Sequence, residues 1–349
     1  MGEFARSGAI ARAVLERWPQ ARVHFLLSGQ APYAAKTAFP ATLLPSSPTF
    51  HTAAVIEFLR SWRPSVVIFD NAGRSAQIRA ARELGARVVY ISSRRRQRRK
   101  AFRLSWMRAL DEHWIAYPKF IAGDLGPLER LKQKLLGGPA VRYLDVILGR
   151  DAGAGGAPDA RAASDARSAA DAPTAVDART AADDVLVIPG GGTGHPGAGN
   201  ALGQFLEAAR ALAAAGLATT FIGPATSEPG RANLRILGSL PQPALAARMR
   251  RARLVIVNGG STLLQAIACG AACIAAPIAG DQLERIRRCA RAGVVLRAAA
   301  SSADIEAKAR AMLKNEAARA ALARRAAGLA LADGLEVALA ALGGLIHSS

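Results

Sequence analysis

Three cysteines and five histidines in 349 residues, with aromatic side chains at only 5%, leave little material for several kinds of chemistry. Cys269, Cys273 and Cys289 stand in apolar or helical surroundings without metal-ligand spacing, so buried reduced thiols and a cytoplasmic location are expected. Long uncharged apolar runs are missing too. The most apolar stretch, AAGLALADGLEVALAALGGLI, carries Asp333 and Glu336 near its middle, which favours a packed helix over a membrane span. The opening GEFARSGAIARAV lacks the apolar core of a secretory signal. Acid is also scarce: 26 Asp and Glu face 46 Lys and Arg, a formal charge of +20 that calls for an anionic partner, whether nucleic acid, phospholipid or a phosphorylated substrate.

What is present is alanine-rich and long enough for two ordinary domains. From residue 7 to about 118, helical and strand patterns alternate: SGAIARAVLERW, ARVHFLLS, HTAAVIEFLRSW, SVVIFDNAG, RSAQIRAARELG, ARVVYISS and HWIAYP. That alternation reads as a parallel sheet with crossover helices. Residues 151–183 change character, with Asp159, Asp165, Asp171, Asp177 and Asp183 recurring every six residues among alanines. Units with little apolar material beyond alanine cannot fill a solenoid interior, so this repeat reads as a solvated linker. The alternation then restarts with DVLVIPGGG, ALGQFLEAARALAAAG, ATTFIGP, LRILGSLP, PALAARMRRA and LVIVNGG. The expected architecture is α/β: two doubly wound Rossmann-like domains facing a cleft, at residues 1–150 and 184–349.

The stretch VNGGSTLLQAIACGAACIAAPIAGDQ, residues 257–282, holds the densest chemistry. Asn258, Gly259 and Gly260 close a strand, and Ser261 and Thr262 stand where a helix begins. Glycine lets a backbone approach a ligand closely, and the free N–H groups and positive end of a helix favour a diphosphate. The same residues also serve as plain helix capping. A second glycine loop, IPGGGTGHPGAGN at 188–200, lies between strand and helix, where it either meets a ligand or simply flexes. Its His195 either bonds a phosphate or acts as a base, or is merely solvated.

The order of these pieces resembles the donor domain of GT-B glycosyltransferases of the family 28 type. That group contains the N-acetylglucosaminyltransferase of peptidoglycan synthesis and the UDP-sugar hydrolase of the pseudaminic acid pathway. The resemblance implies that Gly259, Gly260, Ser261 and Thr262 meet the diphosphate and that Asp281 and Gln282 reach the donor sugar. It places Gly191, Gly192 and Thr193 in the family's Gly-Gly loop, and Gly238, Ser239 and Leu240 of GSLP at the base. Gln265 stands where the family has an acid on the ribose hydroxyls, and an amide is a weaker acceptor there.

The same resemblance aligns Gly2-Glu3-Phe4-Ala5-Arg6 with the turn that opens the family's first domain. It thereby gives Glu3 the part of catalytic base, taking the proton of an attacking hydroxyl; an acid helping to start a helix is the plainer alternative. The alignment also implies an apolar strand of about ten residues upstream of Gly2, because such a strand is usually central to that sheet. Asp70 and Asn71 end the strand SVVIFD and either bind acceptor, orient Glu3 or make a turn.

Residues 93–110, SRRRQRRKAFRLSWMRAL, carry eight basic residues from Arg94 to Arg108 and no acid. Phe102, Trp106 and Leu110 recur there at helical spacing. The expectation is an apolar stripe for acceptor or for an anionic membrane surface; the alternative is a core-facing stripe on a solvated helix. No stacking platform accompanies the charge, so nucleic acid is not expected. The resemblance thus implies transfer of a sugar from a nucleotide diphosphate donor, UDP by analogy, to a glycolipid or cell-envelope polysaccharide precursor. The enzyme would be cytoplasmic and peripheral on the inner membrane, with no metal or other cofactor. A hydrolase of the same fold, with water replacing the acceptor, is the alternative.

Overall fold

The computed structural model describes residues 2–31, 34, 37–148, 185–190, 200–223 and 232–347. The chain forms two compact units, Met1–Ile147 with Ala332–Ser349, and Leu148–Leu331. The hexapeptide repeat lies outside the described residues.

In the first unit, helix α1 (Gly2–Arg17) precedes strands β1 (Phe25–Ser28) and β2 (Ala41–Leu44), and α2 (Thr52–Trp62) follows. Then come β3 (Val66–Asp70), α3 (Ser75–Glu83), β4 (Arg87–Ser92), α4 (Arg95–Ala101) and α5 (Leu104–Met107). The remaining elements before the linker are β5 (Glu112–Ile115), α6 (Lys119–Ala122), α7 (Pro127–Leu136) and β6 (Ala140–Tyr143). All pairings are parallel, β1 with β2 and, separately, β3-β4-β5-β6 in that order.

The run RVVYIS explains how this sheet is covered. Side chains alternate across a strand, so Val88 and Tyr90 enter one apolar cluster with Val55, Leu59, Ile78 and Trp106, while Val89 and Ile91 enter another with Ile10, Ala13 and Trp114. Both faces are thereby buried. The single sheet expected for this half is instead split, because β1 and β3 do not pair. Helix α1 touches both parts: the Phe4 ring meets Phe25 edge-on at 6.0 Å, and Arg6 and Ser7 bond Asp70.

The second cluster is completed from the far end of the chain. Leu335, Ala338, Leu339, Ala341 and Leu342 of the last helix, which spans Gly334–His347, pack into it. The sequence-based boundary carried these residues with the second domain, and the structure moves them to the first. Backbone geometry holds the crossing: Gly334 donates its N–H to the Val146 carbonyl at 2.8 Å, and the Ala332 N–H bonds Asp145 Oδ2 at 3.0 Å. A Cβ at Gly334 would run into the Leu144 carbonyl. The acids Asp333 and Glu336 precede or open this helix, which explains a strongly apolar segment that is a packed helix.

In the second unit, β7 (Val185–Ile188), α8 (Ala201–Ala214), β8 (Thr219–Ile222), β9 (Leu234–Leu237), α9 (Gln242–Arg251) and β10 (Leu254–Asn258) lead into the motif region. There α10 (Ser261–Ala268), β11 (Cys273–Ala276) and α11 (Gly280–Arg291) follow. The unit continues with β12 (Leu296–Arg297), α12 (Ser302–Lys314) and α13 (Glu316–Gly328), and the last helix of the chain is α14. The six strands are parallel in the order β12-β11-β10-β7-β8-β9. Phe205, Ala208, Ala209 and Leu212 of α8 and Ile305 and Ala309 of α12 cover one face, against Val185, Val187, Ile256 and Ile274. Among the described residues, no helix is long and apolar enough to cross a membrane.

The backbone clash at Gly334 generates a prediction. Gly334→Ala should lower stability by about 1–3 kcal/mol, the usual cost of overpacking, because the rigid Leu144 carbonyl has no side chain to swing away. Urea unfolding monitored through Trp114, which sits in the cluster that α14 completes, would measure it.

Candidate functional site

The strand order of the second unit reverses between β7 and β10, the first and fourth strands of the unit in sequence. In open parallel sheets, loops leaving the two strands at such a reversal diverge and leave a crevice beyond their carboxyl ends. Pro189 and Gly190 leave β7, and Gly259 and Gly260 leave β10. Both glycine loops singled out in the sequence therefore begin at this one place.

Asn258 ties them together. Its buried side chain donates from Nδ2 to the Pro189 carbonyl and accepts the Gly260 N–H at Oδ1, at 2.7 Å. Gln282, also buried, accepts the Gly259 N–H at 3.0 Å and the Ile278 N–H at 3.1 Å through Oε1. The structure thus brings Asn258, Gly259, Gly260 and Gln282 into one network, in which the Gln282 carbonyl oxygen is engaged by backbone. Asp281 precedes it on the first turn of α11, its side chain outside the described part.

The glycines have a packing reason. A Cβ on Gly259 would lie 2.7 Å from Gln282 Cβ and 2.8 Å from Ile286, so bare backbone is needed for α11 to approach. Gly190 has φ +75°, the left-handed region that glycine enters without strain, and a Cβ there would lie 2.7 Å from Asn258 Nδ2.

Helix α10 starts at Ser261, with Gly260 in the capping position and no side-chain cap. Ser261 and Thr262, expected as caps, are instead its first two residues, because Asn258 closes the turn one residue earlier. Ser261 is exposed and Thr262 partly so. A helix start without a side-chain acceptor retains its partial positive charge for an anion. Arg285, three residues after Gln282 and one helical turn along α11, adds a full charge by donating from Nη1 to the Gly259 carbonyl. The sequence reading missed it; its signal was the i, i+3 spacing from Gln282, hidden among Arg285, Arg287 and Arg288.

Gln265 lies buried on the same helix and donates from Nε2 to Gln242 Oε1 at 2.7 Å. Gln242 opens α9 immediately after GSLP, so this contact joins α10 to the turn of Gly238, Ser239 and Leu240. Gly238 and Ser239 are exposed, with open space beside Gly238. Gly191, Gly192, Thr193 and His195 lie outside the described residues. Burial pushes the Cys273 thiol well above its ordinary range and Cys289 up to about 12, which disfavours the thiolate at both.

In the first unit, a polar cluster forms at the carboxyl ends of β3 and β4. Glu3 is exposed on the first turn of α1, and Asn71 Nδ2 donates to its Oε1 at 2.6 Å. Asn71 is itself pinned, with φ +53°, by Nδ2 donating to Ser93 Oγ at 2.5 Å and Oδ1 accepting the Ser93 N–H at 2.8 Å. Asn71 thus combines a left-handed turn conformation with a side-chain contact to Glu3. Asp70 turns instead to Arg6, which grips both its oxygens, and to the Ser7 hydroxyl at 2.8 Å. Burial pushes the Asp70 carboxyl above its ordinary range, against the opposing pull of Arg6 and Ser7.

Phe102 and Trp106 do not form a surface stripe. They are 3% and 2% exposed, packed in the core beside Tyr90 and Ile78 with Leu110, and Trp106 Nε1 donates to Ser75 Oγ at 2.9 Å. The acceptor or membrane role expected of them is therefore withdrawn: the apolar side of this segment faces inward.

No family model matches the chain, and no curated protein matches it in sequence. Solved structures do resemble it throughout. A spinosyn rhamnosyltransferase complexed with thymidine diphosphate is 17% identical with a TM-score of 0.59, 95% of each chain being covered. A glycosyltransferase from Streptomyces nogalater is 17% identical with a TM-score of 0.56, covering 97% of this chain and 95% of that one. A Listeria monocytogenes protein provisionally named a UDP-N-acetylglucosamine 2-epimerase is 13% identical with a TM-score of 0.58, covering 99% and 95%. The likeness is one of fold, two Rossmann-like units of the GT-B type.

Two outcomes are expected. Gly259→Ala should destabilise the protein by about 1–3 kcal/mol with no ligand present, since the new methyl meets Gln282 and Ile286; thermal unfolding checks it. Arg6→Leu should cost on the order of 3 kcal/mol at neutral pH by leaving a buried carboxylate unpaired. Burial raises the folded Asp70 carboxyl and Arg6 pulls it back, so removing Arg6 raises it further; the cost should shrink as pH falls and the carboxyl is protonated, and grow as pH rises. Urea titrations from pH 4 to pH 8 would show this slope.

Proposed function

We propose that the chain is a glycosyltransferase of GT-B architecture whose second unit binds a nucleoside diphosphate sugar at the β7/β10 reversal. The observation that carries the reading is the convergence there of an α10 start without a side-chain cap, an exposed Ser261 and the Arg285 guanidinium. Backbone N–H groups and a positive helix end would hold the diphosphate. Gln265, tied to the 238–240 turn through Gln242, sets the ribose and base beside it. Asp281 is assigned to the sugar, with Gln282 behind it holding the turn through the Gly259 and Ile278 N–H groups; the motif resemblance assigns Gly191, Gly192 and Thr193 to the diphosphate and His195 to phosphate bonding or proton transfer. Fold neighbours that include glycosyltransferases and a thymidine diphosphate complex support a donor of this class.

Glu3 is assigned as base. Asn71 holds one carboxylate oxygen, leaving the other for an acceptor hydroxyl. As that hydroxyl oxygen bonds the anomeric carbon, its proton passes to Glu3 and the anomeric C–O bond breaks, releasing the nucleoside diphosphate. UDP is the preferred donor nucleotide, by the motif resemblance of residues 257–282 to family 28. A glycolipid or envelope polysaccharide precursor is the assigned acceptor, in keeping with the formal charge of +20 and the anionic character of such acceptors.

A thermal-shift series with UDP, thymidine diphosphate and guanosine diphosphate tests the donor site, because a ligand held only by the folded state raises its apparent stability. No shift with any of them would remove the assignment. Ser261→Asp should stabilise the free protein by about 0.3–1 kcal/mol through the helix dipole and yet abolish the nucleotide shift, by setting a negative charge where the diphosphate binds. Glu3→Gln should lower turnover by roughly 10²–10⁴-fold with the nucleotide shift intact. Free sugar released at full rate without acceptor would assign water as the acceptor and make the chain a hydrolase.

A further inference from the structure

Phe50 is 70% exposed and yet held in place. It ends the single turn Pro48–Phe50, which one buried amide clamps to the start of α3. Gln77 is buried; it donates from Nε2 to the Pro48 carbonyl at 2.8 Å and accepts the Arg74 N–H at Oε1, at 3.0 Å. Arg74 closes the clasp from outside. Its Nε donates to the Thr49 carbonyl at 3.2 Å, and its guanidinium carbon lies 5.7 Å from the centre of the Phe50 ring. A buried amide engaged at both ends fixes the turn it holds. Here the turn presents an exposed aromatic ring with a cation over it.

Further cations gather beside this pair. The bond from Trp106 Nε1 to Ser75 Oγ brings the segment that carries Lys100 and Arg103 against the start of α3. Lys100 is part-buried, and burial, then Arg103, Arg74 and Arg96, hold its ammonium below the ordinary range. The acid at the end of β3, Asp70, is already taken by Arg6 and Ser7. An exposed cation–π pair stabilises a fold only weakly, and like charges drawn together beside it oppose folding, so stability does not account for this arrangement. Its position does. The loop leaving β3 carries Asn71, bonded to Glu3, at one end and Arg74, bonded to Thr49, at the other. Three residues of chain span at most about 10 Å, so one bound molecule can meet both ends.

A sugar ring packs its C–H face on an aromatic ring, and a guanidinium grips phosphate or carboxylate through parallel N–H bonds. With Nε held by Thr49, the Nη groups of Arg74 are the ones placed for such an anion. We propose that Phe50, Arg74 and Lys100 form an acceptor subsite beside Glu3, in which Phe50 stacks on a sugar ring and the two cations hold a phosphate or carboxylate borne by that sugar. This rests on the reading of Glu3 as base and narrows the acceptor to a phosphorylated or acidic sugar.

Phe50→Trp in the full chain places a reporter in the subsite, its emission read as the difference from the unsubstituted protein. Titrated with glucose 6-phosphate, glucuronate, glucose and inorganic phosphate, it should half-saturate with one of the two anionic sugars at roughly a tenth or less of the concentration that glucose or phosphate alone requires. A response favouring glucose 6-phosphate assigns a phosphate to the acceptor, and one favouring glucuronate a carboxylate. Arg74→Gln in the same background should remove the preference. Ligand-observed NMR on the unsubstituted chain should repeat the ranking, with Phe50→Ala weakening the bound sugar roughly tenfold. Glucose bound as tightly as the anionic sugars, inorganic phosphate bound as tightly as the sugar phosphate, or a preference kept by Arg74→Gln would each overturn the subsite. So would a response abolished by Ser261→Asp, which would put the sugar phosphate in the donor site of the second unit. Lost nucleotide shifts, or full turnover by Glu3→Gln, with the preference at position 50 intact would strike those readings and leave the subsite standing.

Discussion

The second unit hangs on one buried amide. Asn258 stands at the end of β10 where the sheet order reverses, and its two ends satisfy the Pro189 carbonyl and the Gly260 N–H at once. Loops at such a reversal would otherwise diverge with unpaired backbone groups, which is costly away from water. By closing both, Asn258 sets where α10 begins and keeps its first turn clear of side-chain acceptors. Gln282 repeats the device on the other side of the turn, joining Gly259 to Ile278. Rigidity is thus supplied by amides buried behind the turn, leaving charge and hydroxyl groups at its rim.

The first unit solves a related problem with charge. Asp70 is buried at the end of β3, and Arg6 and Ser7 of α1 compensate it, which fixes the register of α1 over the strand ends. That register places Glu3 one turn earlier, beside Asn71. Adjacent strand-end residues therefore divide the labour: one anchors the helix, and the other holds an exposed carboxylate.

The parallel sheets were legible because β-branched runs such as RVVYIS and LVIVN alternate with helical patterns whatever the topology. The motif at 257–282 was legible as a candidate site because its turn, helix and strand are contiguous in sequence. What escaped depended on facing. In 93–110 and in α7, apolar residues recur at the same helical period, yet Phe102 and Trp106 turn inward while Leu131 and Leu135 turn outward. Periodicity defines a face and not its neighbour, and the deciding contacts, such as Lys132 to the Phe102 carbonyl, span thirty residues. Arg285 escaped for a similar reason, since its partner carbonyl is brought near only when α11 packs on Gly259. The glycines were read chiefly as room for a ligand, but at Gly259 the room is already taken by Gln282 and Ile286.

The return of α14 to the first unit has a consequence for how the protein is made. Translation delivers α1 and the sheet of the first unit first, but the helix that completes the cluster around Trp114 and Ile10 emerges only after the whole second unit. Domains generally fold as units while the chain is being synthesised. Here the later unit has its own contiguous core and can close first, while the earlier one waits with one face of its sheet covered by α1 alone. The half that begins first in the chain therefore cannot complete this cluster until the other has been made.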